Sequence, residues 1–458
     1  MKVIVCGAGQ VGANIARHLA TENNHVTVID QSPDLIRKIG DTLDVQGLVG
    51  HAGQPGTLES AGAGDADMLI AVTFADEVNM VACQVAHSLF NVPIKIARIR
   101  NQDYLQPIWA DLFSRDHMPI DHIISPEIEV ARAISHRLQA PGAFDMIPLA
   151  DGKIRAIGVR ADEDCPLLDT PLRQLTSLFP DLHIVIVGII REGRPVVPTG
   201  DDQLLAGDEV YFVAESSHVM RAMASFGHEE TEARRVVIVG AGHVGLFLAT
   251  EIEEHYPGVR AKIIETDDAR ARLAATTLER SIVVRGNALD LDILNEANIS
   301  AAETVITVTN DDRINILAAL MAKRAGCSRA IALVNDMALE PLITNLGIDV
   351  VVNPRAITAS TILQHVRRGR IRSLHALREG VGEIVEAEAL DTSKVLGTPL
   401  RDLDIGRGII FGAILRDGEV LLPKGDTVIR NRDLVVLFAS AKEVKKVEKL
   451  FSVRLEYF

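Results

Sequence analysis

Two doubly wound parallel-sheet Rossmann domains, each followed by a small α+β domain, are the α/β fold that the sequence predicts, and three observations predict it. A glycine-rich segment occurs twice, as VIVCGAGQVG at Val3 to Gly12 and as VVIVGAGHVG at Val236 to Gly245. Each copy follows an apolar β-like run and opens a helical pattern. The downstream sequence repeats as well: the segment from Gly50 aligns with that from Gly286, carrying Leu58 onto Leu294, Thr73 onto Thr309, Asp76 onto Asp312 and Asn79 onto Asn315. Later, IDHIISP at Ile120 to Pro126 matches IDVVVNP at Ile348 to Pro354. Each half then closes with alternating apolar and polar residues divided by Gly-Asp turns, the pattern of short antiparallel strands.

Within the first module, strand-like runs fall at Val3 to Cys6, Val26 to Ile29, Met68 to Val72, Ile94 to Ile99 and His122 to Ile124, with helical stretches such as Val78 to Phe90 between them. Strand and helix in alternation imply right-handed crossovers and a mostly parallel sheet. Asp76 and Asp312 are expected to cap the helices that follow the fourth strands. In the smaller modules, Pro171, Leu172 and Arg173 match Pro399, Leu400 and Arg401, and PTGDDQLLAGDEVYFVA from Pro198 matches PKGDTVIRNRDLVVLFA from Pro423. The order is therefore A-B-A'-B', with expected domains at 1–140, 141–228, 229–370 and 371–458. The boundaries are read from Pro141-Gly142, the charged segment Gly227 to Arg234 and the basic run His365 to Arg372.

Composition narrows the function classes. A net charge of -15 opposes a nucleic-acid coat, which needs an excess of Lys and Arg on one face. Only 4% of residues are aromatic while 47% are hydrophobic, a profile of α/β layers. Cys6, Cys83, Cys165 and Cys327 form no Cys-x-x-Cys pair and suit a reducing cytosol. The opening MKVIVCGAGQ shows no export signal, and apolar runs such as Ile184 to Ile190 fall far short of the roughly 18 to 20 residues that span a bilayer. Any membrane role is expected to run through a partner.

Gly7-x-Gly9-x-x-Gly12 sits where a dinucleotide fingerprint belongs. The first glycine permits the tight turn, the second lets backbone approach phosphate, and the third packs helix on strand while the helix N-terminus offers free N–H groups. Ala8, Gln10 and Val11 complete that loop, and Asp30 at the end of the second strand can accept ribose hydroxyls. Gly240, Ala241, Gly242, His243, Val244 and Gly245, with Glu265, repeat the arrangement. With 34 Gly in 458 residues, chance alone gives about 0.2 such patterns, so a duplicated match in the right context carries weight. An acid at strand two disfavours a 2'-phosphate and leaves NAD, ATP and ADP open. Thr73-Phe74 and Thr309-Asn310 leave the C-terminal ends of the fourth strands, beside the switch point. Arg98 can contact phosphate or adenine there, or stand as a solvated cation. Its aligned partner is Leu333, so the two sites should differ. His18, His25, His51 and His243 lack the second ligand spacing that a metal needs and read as surface histidines.

A dehydrogenase would need an acid-base residue aimed at a nicotinamide, and neither small module offers a His-Asp pair, a Lys-Tyr motif or a Cys nucleophile. Cys165, beside Pro166, reads as a small buried residue. Two nucleotide sites without chemistry point to sensing.

The glycine module with its acid, the DADMLIAVT-x-x-DE-x-N segment, IARIRN, and the PLR and Gly-Asp module, nearly all of them present twice, together resemble the tandem RCK (KTN) domain family of peripheral Trk potassium-uptake subunits. The resemblance covers essentially the whole chain. It implies four linked subdomains, no catalysis, and a homo-oligomeric ring, dimer or tetramer, on the cytosolic face of the plasma membrane beneath a potassium-translocating membrane subunit. It further implies binding of NAD(H) and of ATP or ADP at Gly7 to Gly12, Asp30, Thr73, Phe74 and Arg98, and at Gly240 to Gly245, Glu265, Thr309 and Asn310. Gly50-His51-Ala52 and the bulky Phe74 depart from the family pattern at the first site, whereas Gly286-Asn287-Ala288 keeps it at the second. An NAD-dependent oxidoreductase and a sensing subunit of another cation transporter remain the alternatives.

Overall fold

The computed structural model describes the chain except residues 22–23, 180–181, 229–232, 337–338, 340–341, 344–345, 367–370, 378–381, 407, 441 and 452–458. The expected boundaries at 228–229 and 370–371 adjoin the stretches 229–232 and 367–370, which lie outside the described residues.

In chain order the strands form four sheets. The first contains β1 (Lys2–Cys6), β2 (His25–Asp30), β3 (Gln46–Val49), β4 (Met68–Ala71), β5 (Ile94–Arg98) and β6 (His122–Ile124), ordered β3-β2-β1-β4-β5-β6 and parallel throughout. The second holds β7 (Ala143–Leu149), β8 (Ile154–Arg160), β9 (Ile184–Arg191), β10 (Arg194–Val196) and β11 (Glu209–Glu215), all antiparallel. The third repeats the first with β12 (Arg235–Val239), β13 (Arg260–Glu265), β14 (Ile282–Arg285), β15 (Thr304–Thr307), β16 (Arg329–Leu333) and β17 (Val350–Val352). The fourth repeats the second with β18 (Ile371–Ala376), β19 (Glu383–Glu388), β20 (Ile409–Arg416), β21 (Glu419–Leu421) and β22 (Leu434–Ala439). The two doubly wound sheets and the two antiparallel sheets are those the repeat predicts.

Contacts group the chain into two compact units that cut across the sequence order. One unit joins Met1–Arg132 with Arg235–Val366, and the other joins Ala133–Arg234 with Arg367–Phe458. In the first unit, the helix Gln10–Thr21 buries Val11, Ile15 and Leu19 against Val3, Val5 and Val28 of the sheet. The same core takes Ala359, Ile362, Leu363 and Val366 from the helix Pro354–Val366, so the second half supplies part of the outer layer of the first Rossmann sheet. Burying an aliphatic side chain there contributes about 1.5 to 3 kcal/mol. In the second unit, Tyr211 and Val213 of one antiparallel sheet share a core with Val436 and Phe438 of the other. The aligned aspartates Asp208 and Asp433 are buried and accept paired donors from Arg191 and Arg416, each Nη2 contact at 2.7 Å.

Local sequence accounts for the helix starts. Ser32 accepts the Leu35 N–H at 3.4 Å with Pro33 at the first helical position, and Asp267 accepts the Arg270 N–H at 2.9 Å at the equivalent start in the second half. The expected caps at Asp76 and Asp312 are corrected. The cap positions belong to Ala75 and Asp311, while Asp76 and Asp312 lie in the first turn. Their carboxylates turn instead to the loop after the fifth strand: Asp76 Oδ2 accepts the Arg100 and Asn101 N–H groups at 2.9 and 2.8 Å, and Asp312 Oδ2 accepts those of Asn335 and Asp336 at 2.9 and 3.0 Å. Loop amides without partners of their own are the stronger claim on that charge.

Candidate nucleotide sites

Each candidate site is built first from backbone. Gly7 leaves β1 at φ 112° and Gly240 leaves β12 at φ 106°, conformations that an L side chain rarely adopts. A Cβ on Gly7 would meet the Val72 carbonyl oxygen at 2.9 Å. The Gly7 N–H donates to the Ile29 carbonyl and the Gly240 N–H to that of Ile264, at 2.7 and 2.8 Å, tying each loop to the neighbouring strand. A Cβ on Gly12 would stand 1.8 Å from the Gly7 carbonyl oxygen, and one on Gly245 1.9 Å from that of Gly240, so helix and strand meet at backbone distance. By contrast, a Cβ on Gly9 or Gly242 would meet nothing within 4 Å. The space over the middle glycine is open, and the helices Gln10–Thr21 and His243–His255 begin there with first-turn N–H groups that no helical carbonyl can satisfy.

The acid at the second strand has a task that the sequence did not reveal. Asp30 Oδ2 accepts the Ala8 N–H at 2.7 Å and Oδ1 accepts the Ser32 N–H at 2.9 Å. Glu265 Oε2 accepts the Ala241 N–H at 2.8 Å, while Oε1 takes the Asp267 N–H at 2.9 Å and the Arg270 guanidinium at 3.0 Å. Each carboxylate therefore fastens the residue between the first two glycines before any ribose is present. Asp30 Oδ1 and Oδ2 and Glu265 Oε2 each accept one donor and keep a second lone pair for another, whereas Glu265 Oε1 is already taken by Asp267, Arg270 and the Thr266 hydroxyl at 3.2 Å. Glu265 is 4% exposed and Asp30 half-buried, so the second acid is the more committed to the protein. Burial works against the Glu265 charge, but the Arg270 guanidinium and the backbone N–H groups outweigh it and hold the carboxyl below its ordinary range.

At the ends of β4 and β15 the two halves coincide. Thr73 donates through N–H and Oγ1 to Asn79 Oδ1 at 2.8 and 2.7 Å, and Thr309 donates to Asn315 Oδ1 at the same two distances. Asn79 Nδ2 returns a bond to the Arg98 carbonyl and Asn315 Nδ2 to the Leu333 carbonyl, both at 2.9 Å. Both asparagines are fully buried. Their identical offset in the two halves was the available signal, and the role became visible only with the fold. Phe74 is 85% exposed at the rim, and Asn310 is exposed in its place in the second half.

Arg98 is no solvated cation. Its Nη2 donates to the Thr73 carbonyl at 2.9 Å and Nε is buried without a partner. Burial and the nearby Arg100 lower its pKa. His51 sits on the first site's flank, its Nδ1 accepting the Gly53 N–H at 3.2 Å. Cys6, Cys83, Cys165 and Cys327 are buried free thiols, and burial pushes Cys6 up to about 12.

Two family models each match the chain twice and together cover most of it. The TrkA-N domain matches residues 3–126 and 236–354, and the TrkA-C domain matches 157–227 and 384–452. The chain belongs to the TrkA family. Among its curated relatives, the Trk system potassium uptake protein TrkA of Azorhizobium caulinodans is 52% identical over 458 residues, covering 100% of both chains. That of Vibrio alginolyticus is 40% identical over 455 residues, covering 98% of each. Among solved structures, the GsuK RCK domain superposes with a TM-score of 0.58 at 18% identity over 98% of this chain and 94% of that one. A GsuK channel bound to NAD gives 0.59 at 18% identity, over 98% and 78%. These superpositions establish the RCK fold for the TrkA-family chain. Among the described residues, no helix is long and apolar enough to cross a membrane.

Proposed function

We propose that this TrkA-family chain is the nucleotide-sensing, non-catalytic subunit of a potassium uptake system, binding NAD(H) or ATP/ADP at Gly7 to Gly12 with Asp30, Thr73, Phe74 and Arg98, and at Gly240 to Gly245 with Glu265, Thr309 and Asn310. The observation that carries the reading is the pair of open cradles: backbone N–H groups over Gly9 and Gly242, each beside a strand-two carboxylate, admit a diphosphate and an adenosine ribose. The names of the relatives, which cover the whole chain, support potassium uptake as the setting. In this reading four subdomains, 1–140, 141–228, 229–370 and 371–458, assemble as a homo-oligomeric ring of two or four chains on the cytosolic face of the membrane, against the potassium-translocating subunit.

A nucleotide can shift that assembly only if it binds the open and closed states with different affinity, since equal affinity moves no equilibrium. Calorimetric titration of the full chain with NAD, NADH, ATP and ADP, alone and with the membrane subunit, tests both parts. The expected result is binding that changes when the subunit is present. Identical affinities in the two conditions remove the coupling, and no binding at millimolar nucleotide removes the sensor.

A further inference from the structure

The first glycine loop has a neighbour that comes from the other half of the chain. Arg355 lies in the first turn of the helix Pro354–Val366, whose start is fixed by Asn353 Oδ1 accepting the Ala356 N–H at 2.8 Å. That helix is packed into the core beside Val11, Ile15 and Leu19, so its first turn is carried to the start of the helix Gln10–Thr21. There the Arg355 Nη1 donates to the Gln10 side-chain oxygen, and to the Asn335 carbonyl at 3.3 Å. Both partners are neutral. Among the described residues no carboxylate pairs with this half-buried guanidinium, although the chain holds 62 Asp and Glu against 47 Lys and Arg.

Gln10 is the first residue of the helix that begins beside the open space at Gly9, and the first-turn N–H groups of a helix have no helical acceptor. A guanidinium bonded to its side chain therefore stands within a side chain's reach of any phosphate seated there. Arginine binds phosphate through paired, charge-assisted donors, a stronger contact than a neutral amide can supply. The duplication sharpens the point. The alignment of Ile120 to Pro126 with Ile348 to Pro354 sets Glu127 opposite Arg355, and Glu127 is buried and paired with Arg100 at 3.1 Å. One half of the chain offers a cation at this helix start and the other a committed anion.

We propose that Arg355 is a phosphate-binding residue of the first site, contributed by the second half, and that nucleotide binding moves it from the Gln10 amide to the phosphate. The inference rests on the nucleotide reading given above and deepens it. Occupancy of the first loop would then draw on the position of the Pro354–Val366 helix and link the two halves through one guanidinium.

The test is calorimetric titration of the full chain with adenosine, ADP and ATP, for the native protein, Arg355→Gln and Arg355→Lys. The expected result is that Arg355→Gln weakens one of the two ADP and ATP binding steps about tenfold, the effect of losing one charge-assisted contact. Adenosine affinity and the nucleotide-free melting temperature stay as in the native chain, and Arg355→Lys recovers most of the loss. Unchanged ADP and ATP affinity in Arg355→Gln overturns the assignment while leaving the nucleotide reading intact. Equal losses for adenosine and ATP, or for both steps, also overturn it. A native chain that binds no adenine nucleotide would instead remove the nucleotide reading and this inference with it.

Discussion

The two Rossmann halves share the loop, the acid and the Thr-Asn bracket almost atom for atom, yet around that shared backbone their polar side chains have parted. Arg98 in the first half corresponds to Leu333 in the second, and Arg100 and Glu127 correspond to Asn335 and Arg355. Asp30 is half-buried with two backbone donors, while Glu265 is 4% exposed and also holds Arg270. The difference separates two kinds of constraint. Gly12 and Gly245 cannot change because a Cβ would overlap a carbonyl oxygen, whereas the side chains lining the loop answer only to whatever charge they meet.

Exchanging the diverged residues breaks the comparison most severely. Leu333 is 5% exposed, so Leu333→Arg forces a charged side chain into a buried apolar position and should cost about 3 kcal/mol or more, read as a lowered urea midpoint. The reciprocal Arg98→Leu removes an unpartnered buried Nε along with the bond to the Thr73 carbonyl, and should shift stability by about 1 kcal/mol or less. Equal losses in the two variants would contradict the asymmetry.

A middle-sized effect concerns the acids. Glu265→Ala strands the Ala241 and Asp267 N–H groups in a buried site and releases Arg270, for an expected loss of about 2 to 3 kcal/mol without nucleotide. Asp30→Ala, nearer solvent, should lose about 1 kcal/mol. Chemical denaturation of both variants measures the gap, and a larger loss for Asp30→Ala would reverse the ranking.

The smallest effect tests a ring pair present in one half only. His122 stacks on His365 with centroids 4.1 Å apart, and the equivalent residues are Val350 and Arg137. Burial, with the neighbouring His122, pushes His365 from 6.5 down to about 4. The folded chain refuses a proton that the unfolded chain accepts, so this residue leaves stability unaffected above pH 6.5. It withdraws stability progressively as pH falls towards about 4, where the folded form also protonates. His365→Gln should make the urea midpoint fall less steeply across that window, by about one proton's worth of slope. An unaltered slope would mean that His365 is protonated in the folded chain.

Read alone, the sequence determined the sheet class, the duplication, the loop glycines and the acids, because those depend on short-range pattern and on a steric rule that leaves glycine alone at a given place. Gly7 and Gly240 need no partner from elsewhere to declare themselves. Only the tertiary structure decided that Asp76 and Asp312 serve the loops after the fifth strands rather than cap helices, that Asp30 and Glu265 first fasten their own glycine loops, and that Arg98 is held against the Thr73 carbonyl. The same holds for Arg355, which is 345 residues from Gln10 in the chain. Such contacts pair residues whose separation along the sequence is arbitrary. A side chain's partner is set by where packing brings its helix, and the apolar seam that carries Pro354–Val366 onto Gln10–Thr21 exists only once both elements have folded.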